Sequence, residues 1–190
     1  MSAKPLFDFD LVSYDRPIGA SRLGGIVMVI VRKVCVAIVV GTLGVAAAAA
    51  QGVIIERNVS LQMARVIADA AMECVPNGRV MTVAVVDSAG QLRVLLRGDG
   101  SPMYAVELAR RKAYTARVFR RPSLEWAKRT EGTDLVGQRQ LFDVIPLGGG
   151  VPIMVGDETI GAVGVSGSGG QQKDEDCAKG AIAKVADQLK

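Results

Sequence analysis

The residues with the clearest chemical potential in this sequence are basic, and most of them lie on one predicted helix over residues 103–119. Arg111 and Lys112 belong to that helix, and Arg97 ends a predicted strand just before it. These three are the first candidates for binding a carboxylate, because cationic side chains form charge-assisted hydrogen bonds with carboxylate oxygens. The alternative is a solvated helix face whose basic residues pair with nearby acids such as Glu107. The sequence leaves both interpretations open.

The composition excludes several classes of catalysis. The chain has no histidine, so a Ser-His-Asp triad, a Cys-His dyad and any metal ligated by histidine are excluded. Asp87, Asp99 and Asp134 fall in predicted turns or loops, and no pattern brings two of them together for acid–base catalysis. No catalytic residue is assigned on this basis, and no metal site is expected.

The elements that position these residues follow from hydrophobic periodicity and turn residues. Helices are predicted over 60–75, 103–119, 124–129 and 174–189, and strands over 81–86, 91–97, 142–147, 151–155 and 160–166. Ser60 and Ser123 are predicted helix N-caps. Because neighbouring strands are joined by short turns, we predict an α+β fold, with helices packed on an antiparallel sheet of about five strands.

Two cysteines and two glycine-rich segments leave structural alternatives open. In an exported protein Cys74 and Cys177 would form one disulfide, or they would remain two buried thiols. The glycines at 148–150 permit either a close backbone approach or a bulge between strands. The loop over 166–170 is either a structural turn or a set of backbone N–H groups facing an anion.

An apolar segment near the start of the chain is typical of a targeting signal. Arg32 and Lys33 precede an uncharged run over 34–50 that ends in alanines, and small residues of this kind allow cleavage before Gln51. Residues 28–50 are therefore a predicted secretory signal peptide, with an uncleaved anchor or a buried helix as the alternatives. We expect the protein to be periplasmic or secreted, without stable membrane insertion after cleavage.

The domain organisation follows from that signal. Residues 1–27 show no clear hydrophobic period, and we predict that they are an upstream extension that is not native to the protein. Residues 51–190 have the size of a single domain, and the 49% of hydrophobic residues in the chain excludes disorder throughout. The net charge of +4 is too small for a general polyanion binder, so no nucleic-acid partner is expected.

Two motifs in the predicted domain resemble those of a known family. The first is Ala-Arg-Arg-Lys-Ala-Tyr-Thr-Ala over 109–116, and the second joins Pro-Leu-Gly-Gly-Gly-Val-Pro-Ile over 146–153 to Ile-Gly-Ala-Val-Gly-Val-Ser-Gly over 160–167. In this order they resemble the GlcG/HbpS family, also described as haem-degrading or PduO C-terminal-like, over nearly all of the domain. The resemblance implies a profilin-like fold, assembly into homo-oligomers such as dimers or larger rings, and haem binding in some exported members.

The resemblance also implies roles for individual residues. Some relatives involve a threonine of the long helix in haem binding, and Thr115 is the matching position. Other relatives ligate haem iron through histidine, which this chain lacks, so Tyr114 is a candidate iron ligand, with a packed or interface tyrosine as the alternative. Arg97, Arg111 and Lys112 would then bind haem propionates.

Three functions remain open at this point. The first is an exported small-ligand-binding protein whose leading ligand is haem or a haem breakdown product, assisting haem degradation or redox sensing. The second is an enzyme or accessory protein that acts on a small organic acid in a catabolic pathway, with Arg111 or Lys112 anchoring a carboxylate. The third is a structural oligomeric partner of another exported protein.

Overall fold

One antiparallel sheet with helices on both faces organises the chain, as given by a computed structural model that describes residues 52, 54–76 and 80–190. In chain order the main elements are α1 (Leu61–Met72), β1 (Thr82–Asp87), β2 (Leu92–Arg97), α2 (Tyr104–Phe119), α3 (Ser123–Arg129), β3 (Gly150–Val155), β4 (Glu158–Ser166) and α4 (Gln171–Ala183). Short 3-10 helices cover Val136–Gln140 and Ala186–Gln188. The predicted signal peptide and upstream extension lie outside the described residues.

The sheet has four strands in the order β2-β1-β4-β3, and each neighbouring pair is antiparallel. The α+β prediction is confirmed, but the strand predicted over 142–147 is wrong. That segment is a loop against α2, where the Ile145 N–H donates to Thr115 Oγ1 and the Val144 carbonyl accepts from Arg111. Val144 and Ile145 are therefore buried against α2, and helix side chains take the backbone hydrogen bonds that a neighbouring strand would have made.

The two faces of the sheet carry side chains of different size. Large residues such as Val83 and Val165 face α1 and α4 and form the main core with them. On the other face, Ala84, Gly164 and Gly150 lie opposite one another across three strands, and α2 packs there. An added Cβ at Gly164 would clash with the backbone of α2 at Ala109 and Ala113. The small residues thus let the long helix lie directly on the sheet.

Local contacts at the helix ends decide two predictions about serine. Ser60 is the N-cap of α1, and its Oγ accepts from the Met63 N–H at 3.1 Å, which confirms the first. The second is wrong, because Pro122 occupies the N-cap of α3 and Ser123 is its first helical residue. The buried Ser123 hydroxyl instead accepts from the Gly150 N–H and donates to the Leu147 carbonyl, both at 2.8 Å, and so joins α3 to the start of β3.

Cys74 and Cys177 form a disulfide, which settles the alternative that the sequence left open for these two residues. Cys74, just after α1, is bonded to Cys177 of α4, and their Cα atoms are 5.5 Å apart. The bond fastens the two helices that cover the same face of the sheet. Within residues 52, 54–76 and 80–190, no helix combines the length and apolar character needed to cross a membrane.

Candidate ligand-binding site

The outer face of α2 and the loop over 141–145 form the candidate site. The inner face of the helix is made of buried alanines, which pack on the small residues of the sheet. With a helical period, that packing turns Arg110, Arg111 and Tyr114 outward, where each is half-buried. Of the predicted site residues, Arg111 and Tyr114 therefore lie on the outward surface of the helix.

Arg110 fastens the loop to the helix through Asp143. Its Nη1 and Nη2 donate to Asp143 Oδ2 and Oδ1 at 3.0 and 2.6 Å, and its Nε donates to Glu107 at 2.9 Å. These hydrogen bonds lower the pKa of Asp143, while burial opposes the shift with a smaller effect. Asp143 has a φ of 65°, in the left-handed region that most side chains avoid. The bidentate ion pair holds that conformation.

The Asp143 carboxylate is expected to make stability depend on pH. Because its pKa is lower in the folded state, its contribution is present above the unfolded pKa and lost as the pH falls through the folded pKa. Asp143→Asn keeps a residue that tolerates the left-handed region but removes the charge. We expect the difference in unfolding temperature between the two proteins to shrink between about pH 6 and pH 2.

Thermal unfolding followed by circular dichroism over that pH range measures the difference. Glu107→Gln is the matched control, because the Glu107 side chain is 60% exposed and its pair with Arg110 contributes less. A difference between wild type and Asp143→Asn that stays constant across the range would contradict the assigned role of the ion pair.

Arg111 retains hydrogen-bonding capacity that its neighbours do not use. Its Nη2 donates to the Val144 carbonyl at 2.5 Å. Its Nε is buried, and no described residue accepts a hydrogen bond from it. The Arg111 guanidinium is therefore positioned by one hydrogen bond from Nη2, and its other N–H groups make none with a described residue. Such a side chain can donate to an acceptor atom on a ligand.

Tyr114 and Thr115 occupy different environments although they are adjacent in sequence. The Tyr114 ring packs against Gly90 of the β1–β2 turn, and a Cβ added to Gly90 would lie 2.9 Å from the ring. The Tyr114 hydroxyl has no hydrogen-bond partner among the described residues. Thr115 is fully buried. Its hydroxyl donates to the Arg111 carbonyl at 2.8 Å and accepts from the Ile145 N–H at 2.9 Å. Tyr114 thus lies at the surface, whereas Thr115 supports the loop.

The other two predicted residues lie elsewhere. Lys112 is 3% exposed and points into the protein, where its Nζ donates to Asp174 at 2.7 Å and to the Val165 carbonyl at 3.0 Å. Arg97 donates to the Ser101 carbonyl at 3.0 and 2.6 Å and closes the turn before α2. The structure therefore joins Arg111 and Thr115 to the loop. It places the Tyr114 ring against the β1–β2 turn and gives Lys112 and Arg97 partners within the chain.

Sequence reasoning missed the contribution of the loop. Phe142 is 87% exposed and Leu141 is 53% exposed, and each precedes the residues that Arg110 and Arg111 hold. The sequence places Phe142 in a predicted strand over 142–147 and Leu141 in no predicted element, since an apolar run of this length fits a strand as well as a covered loop. Their exposure was the missing observation, and it adds an apolar surface next to the cationic one.

A comparison with protein families decides the classification. A family model described as haem degrading protein, HbpS-like, matches residues 59–183. The chain belongs to the HbpS-like family. It is also 36% identical to the protein GlcG of Escherichia coli strain K12 over 112 residues, which cover 56% of this chain and 80% of GlcG.

Solved structures of similar proteins agree with the family and with the α+β fold. The chain is 31% identical to a double mutant of Streptomyces reticuli HbpS, with a TM-score of 0.68, over 74% of this chain and 95% of that one. It is 29% identical to the protein in a PduOC:haem complex, with a TM-score of 0.61, over 66% of this chain and 94% of that one. Both the predicted family and the predicted fold class are confirmed.

Proposed function

We propose that this protein is an exported haem-binding protein whose haem lies on the outer face of α2 and the loop over 141–145. The observation that carries the proposal is its likeness to the PduOC:haem complex, together with its membership of the HbpS-like family. The surface chemistry supports it. Phe142 and Leu141 offer exposed apolar area for a flat macrocycle, and Arg111 offers a cation for a propionate.

Tyr114 is the residue that we propose as the iron ligand. The chain has no histidine, and tyrosine is an accepted axial ligand of haem. The Tyr114 hydroxyl has no partner among the described residues, and the cationic Arg111 lies one turn earlier on the same helix. Bound haem would supply redox chemistry, while the protein orients and shields it. Thr115 acts through the loop, because it is fully buried and its hydroxyl already donates to the Arg111 carbonyl and accepts from the Ile145 N–H.

A haem titration of the purified protein, followed by absorbance, tests this function. We expect saturable one-to-one binding that Tyr114→Phe and Arg111→Gln each weaken about tenfold, the effect of losing one interaction with a charged group. Tyr114→Phe should also change the haem spectrum, since it removes the ligand. Thr115→Ala is expected to weaken binding by releasing Ile145, whereas Thr115→Ser, which keeps the hydroxyl, is not.

Arg65→Gln is the matched control for charge, since Arg65 is exposed on α1 and lies on the opposite face of the sheet. It is expected to bind haem as the wild type does. Weak uptake that does not saturate, or equal binding by wild type and Tyr114→Phe with unchanged spectra, would contradict the proposal.

Export is the second part of the proposed function. It is supported by the apolar run over 34–50 and by the Cys74–Cys177 disulfide, because disulfides persist in oxidising compartments. We expect protein recovered from outside the cytoplasm of its host to begin at Gln51, as read by N-terminal sequencing. An N-terminal peptide that contains Phe7 would contradict both the cleavage and the non-native extension.

A further inference from the structure

A cleft of about 560 Å³ is lined by none of the residues proposed to bind haem. Its walls are the end of α2, the β3–β4 turn, the β1–β2 turn at Ser88 and the segment before α1. The charged residues that line it are Glu56, Arg57, Arg117, Arg120, Asp157 and Glu158. A volume in this range is typical of small-molecule sites.

Arg57 and Glu158 neutralise each other across one wall of the cleft. The Arg57 backbone N–H donates to Glu158 Oε1 at 3.1 Å, and the Arg57 Nε lies 3.7 Å from Glu158 Oε2. This pair leaves Arg117 and Arg120 as the remaining cations of the lining, and neither forms an ion pair with a described residue.

The hydrogen bonding of Arg117 is the first indication that the cleft binds a ligand. Arg117 is half-buried on the last turn of α2, and its Nε is buried without a hydrogen-bond partner among the described residues. The Arg117 side chain donates no hydrogen bond to a described residue, so its guanidinium retains donors for an acceptor that enters the cleft.

Arg120 supplies independent evidence from the backbone. It follows the last residue of α2 with a φ of 51°, a left-handed conformation that glycine adopts at many helix ends without strain. A side chain at this position destabilises the fold, and strained residues of this kind cluster where the side chain has a function. The Arg120 side chain lines the cleft beside Arg117.

We infer that this cleft binds a small organic acid, whose carboxylate is held by Arg117 and Arg120. A guanidinium can donate two parallel hydrogen bonds to a carboxylate. The exposed Glu56 and Asp157 in the same lining reduce the positive potential. A ligand with one or two carboxylates therefore fits better than a highly charged phosphate compound. The site is independent of haem binding.

Titration of the isotope-labelled full chain with succinate, followed by NMR, tests the inference. We expect saturable shifts of amide signals at 117–120 and 155–159, and none with succinamide, which has the same skeleton without charge. Arg117→Gln should weaken succinate binding about tenfold. Arg117→Lys keeps the positive charge but cannot donate two parallel hydrogen bonds, and it should weaken binding less. Arg65→Gln should bind succinate as the wild type does.

Arg120→Gly separates binding from folding, because glycine relieves the left-handed strain. It is expected to lower succinate affinity severalfold while the unfolding temperature stays equal or rises. The inference is overturned if succinate gives no saturable shifts, if succinamide binds equally, or if Arg117→Gln and Arg120→Gly both keep full affinity. Tighter binding of inorganic phosphate through the same arginines would overturn the carboxylate class. Haem binding should be unchanged in both arginine variants.

Discussion

Gly164→Ala is expected to lower the free energy of unfolding by about 3 kcal/mol, the upper part of the range for overpacking a well-packed interior. The added Cβ would meet the Ala109 carbonyl and the Ala113 N–H of α2, which are backbone atoms in the middle of a helix and cannot rotate away. The helix would have to lift from the sheet, and the hydrogen bonds from Thr115 and Arg111 to the loop would lengthen with it. Stability and haem affinity should therefore fall together.

Chemical denaturation measures this effect, and the chain offers a matched control. Gly180→Ala places the same methyl group on α4, where nothing lies within 4 Å of the added Cβ, and alanine there is expected to stabilise the helix by up to about 1 kcal/mol. An unfolding free energy for Gly164→Ala equal to that of the wild type would show that α2 does not lie on the sheet as described.

Lys112→Met is expected to destabilise the protein by about 3 to 5 kcal/mol, because it leaves the Asp174 carboxylate buried without its cation. The two side chains are 4% and 6% exposed, and the Lys112 Nζ lies 2.7 Å from Asp174 Oδ2. Asp174 also accepts hydrogen bonds from the Ser168 N–H and hydroxyl at 2.9 and 2.6 Å. The pair thus joins α2, the glycine loop and α4 in one buried network.

The double variant Lys112→Met/Asp174→Asn tests that reading against a role in ligand binding. It removes both charges, so denaturation should show that it recovers at least half of the stability lost in the single variant. Haem affinity in the double variant should equal that of the wild type. A double variant as unstable as the single one would contradict the assigned role of the Lys112–Asp174 ion pair. A loss of haem affinity without a loss of stability would indicate that Lys112 binds the ligand.

Local patterns predicted the fold well where local physics determines it. The Ser60 cap, the hairpin before Arg97 and the long helix each depend on residues close in sequence, and each is present in the structure. The predicted strand over 142–147 failed because a short apolar run has no period of its own. The conformation of this segment depends on the element that it packs against, which here is α2, with the Thr115 hydroxyl accepting from the Ile145 N–H.

The site was less predictable because its decisive contacts span long separations. The pairing of Arg110 with Asp143, and that of Lys112 with Asp174, join residues far apart in the chain. Three consecutive basic residues of one helix, at 110–112, look alike in sequence, and only the packing of α2 determines that Arg111 faces outward while Lys112 is buried. The Arg117 Nε is likewise buried without a hydrogen-bond partner among the described residues. Only the three-dimensional surroundings of the side chain determine this, so the sequence could not predict it.

Mapping the binding surface of a diamagnetic porphyrin on the protein tests whether haem lies on α2 and the loop over 141–145. Zinc protoporphyrin is added to the isotope-labelled chain, and the amide signals are followed by NMR. We expect saturable shifts concentrated on α2 from Glu107 to Thr115 and on 141–145, and these shifts should be reduced in Arg111→Gln. Shifts confined to the cleft beside Arg117, or scattered shifts that do not saturate, would contradict it.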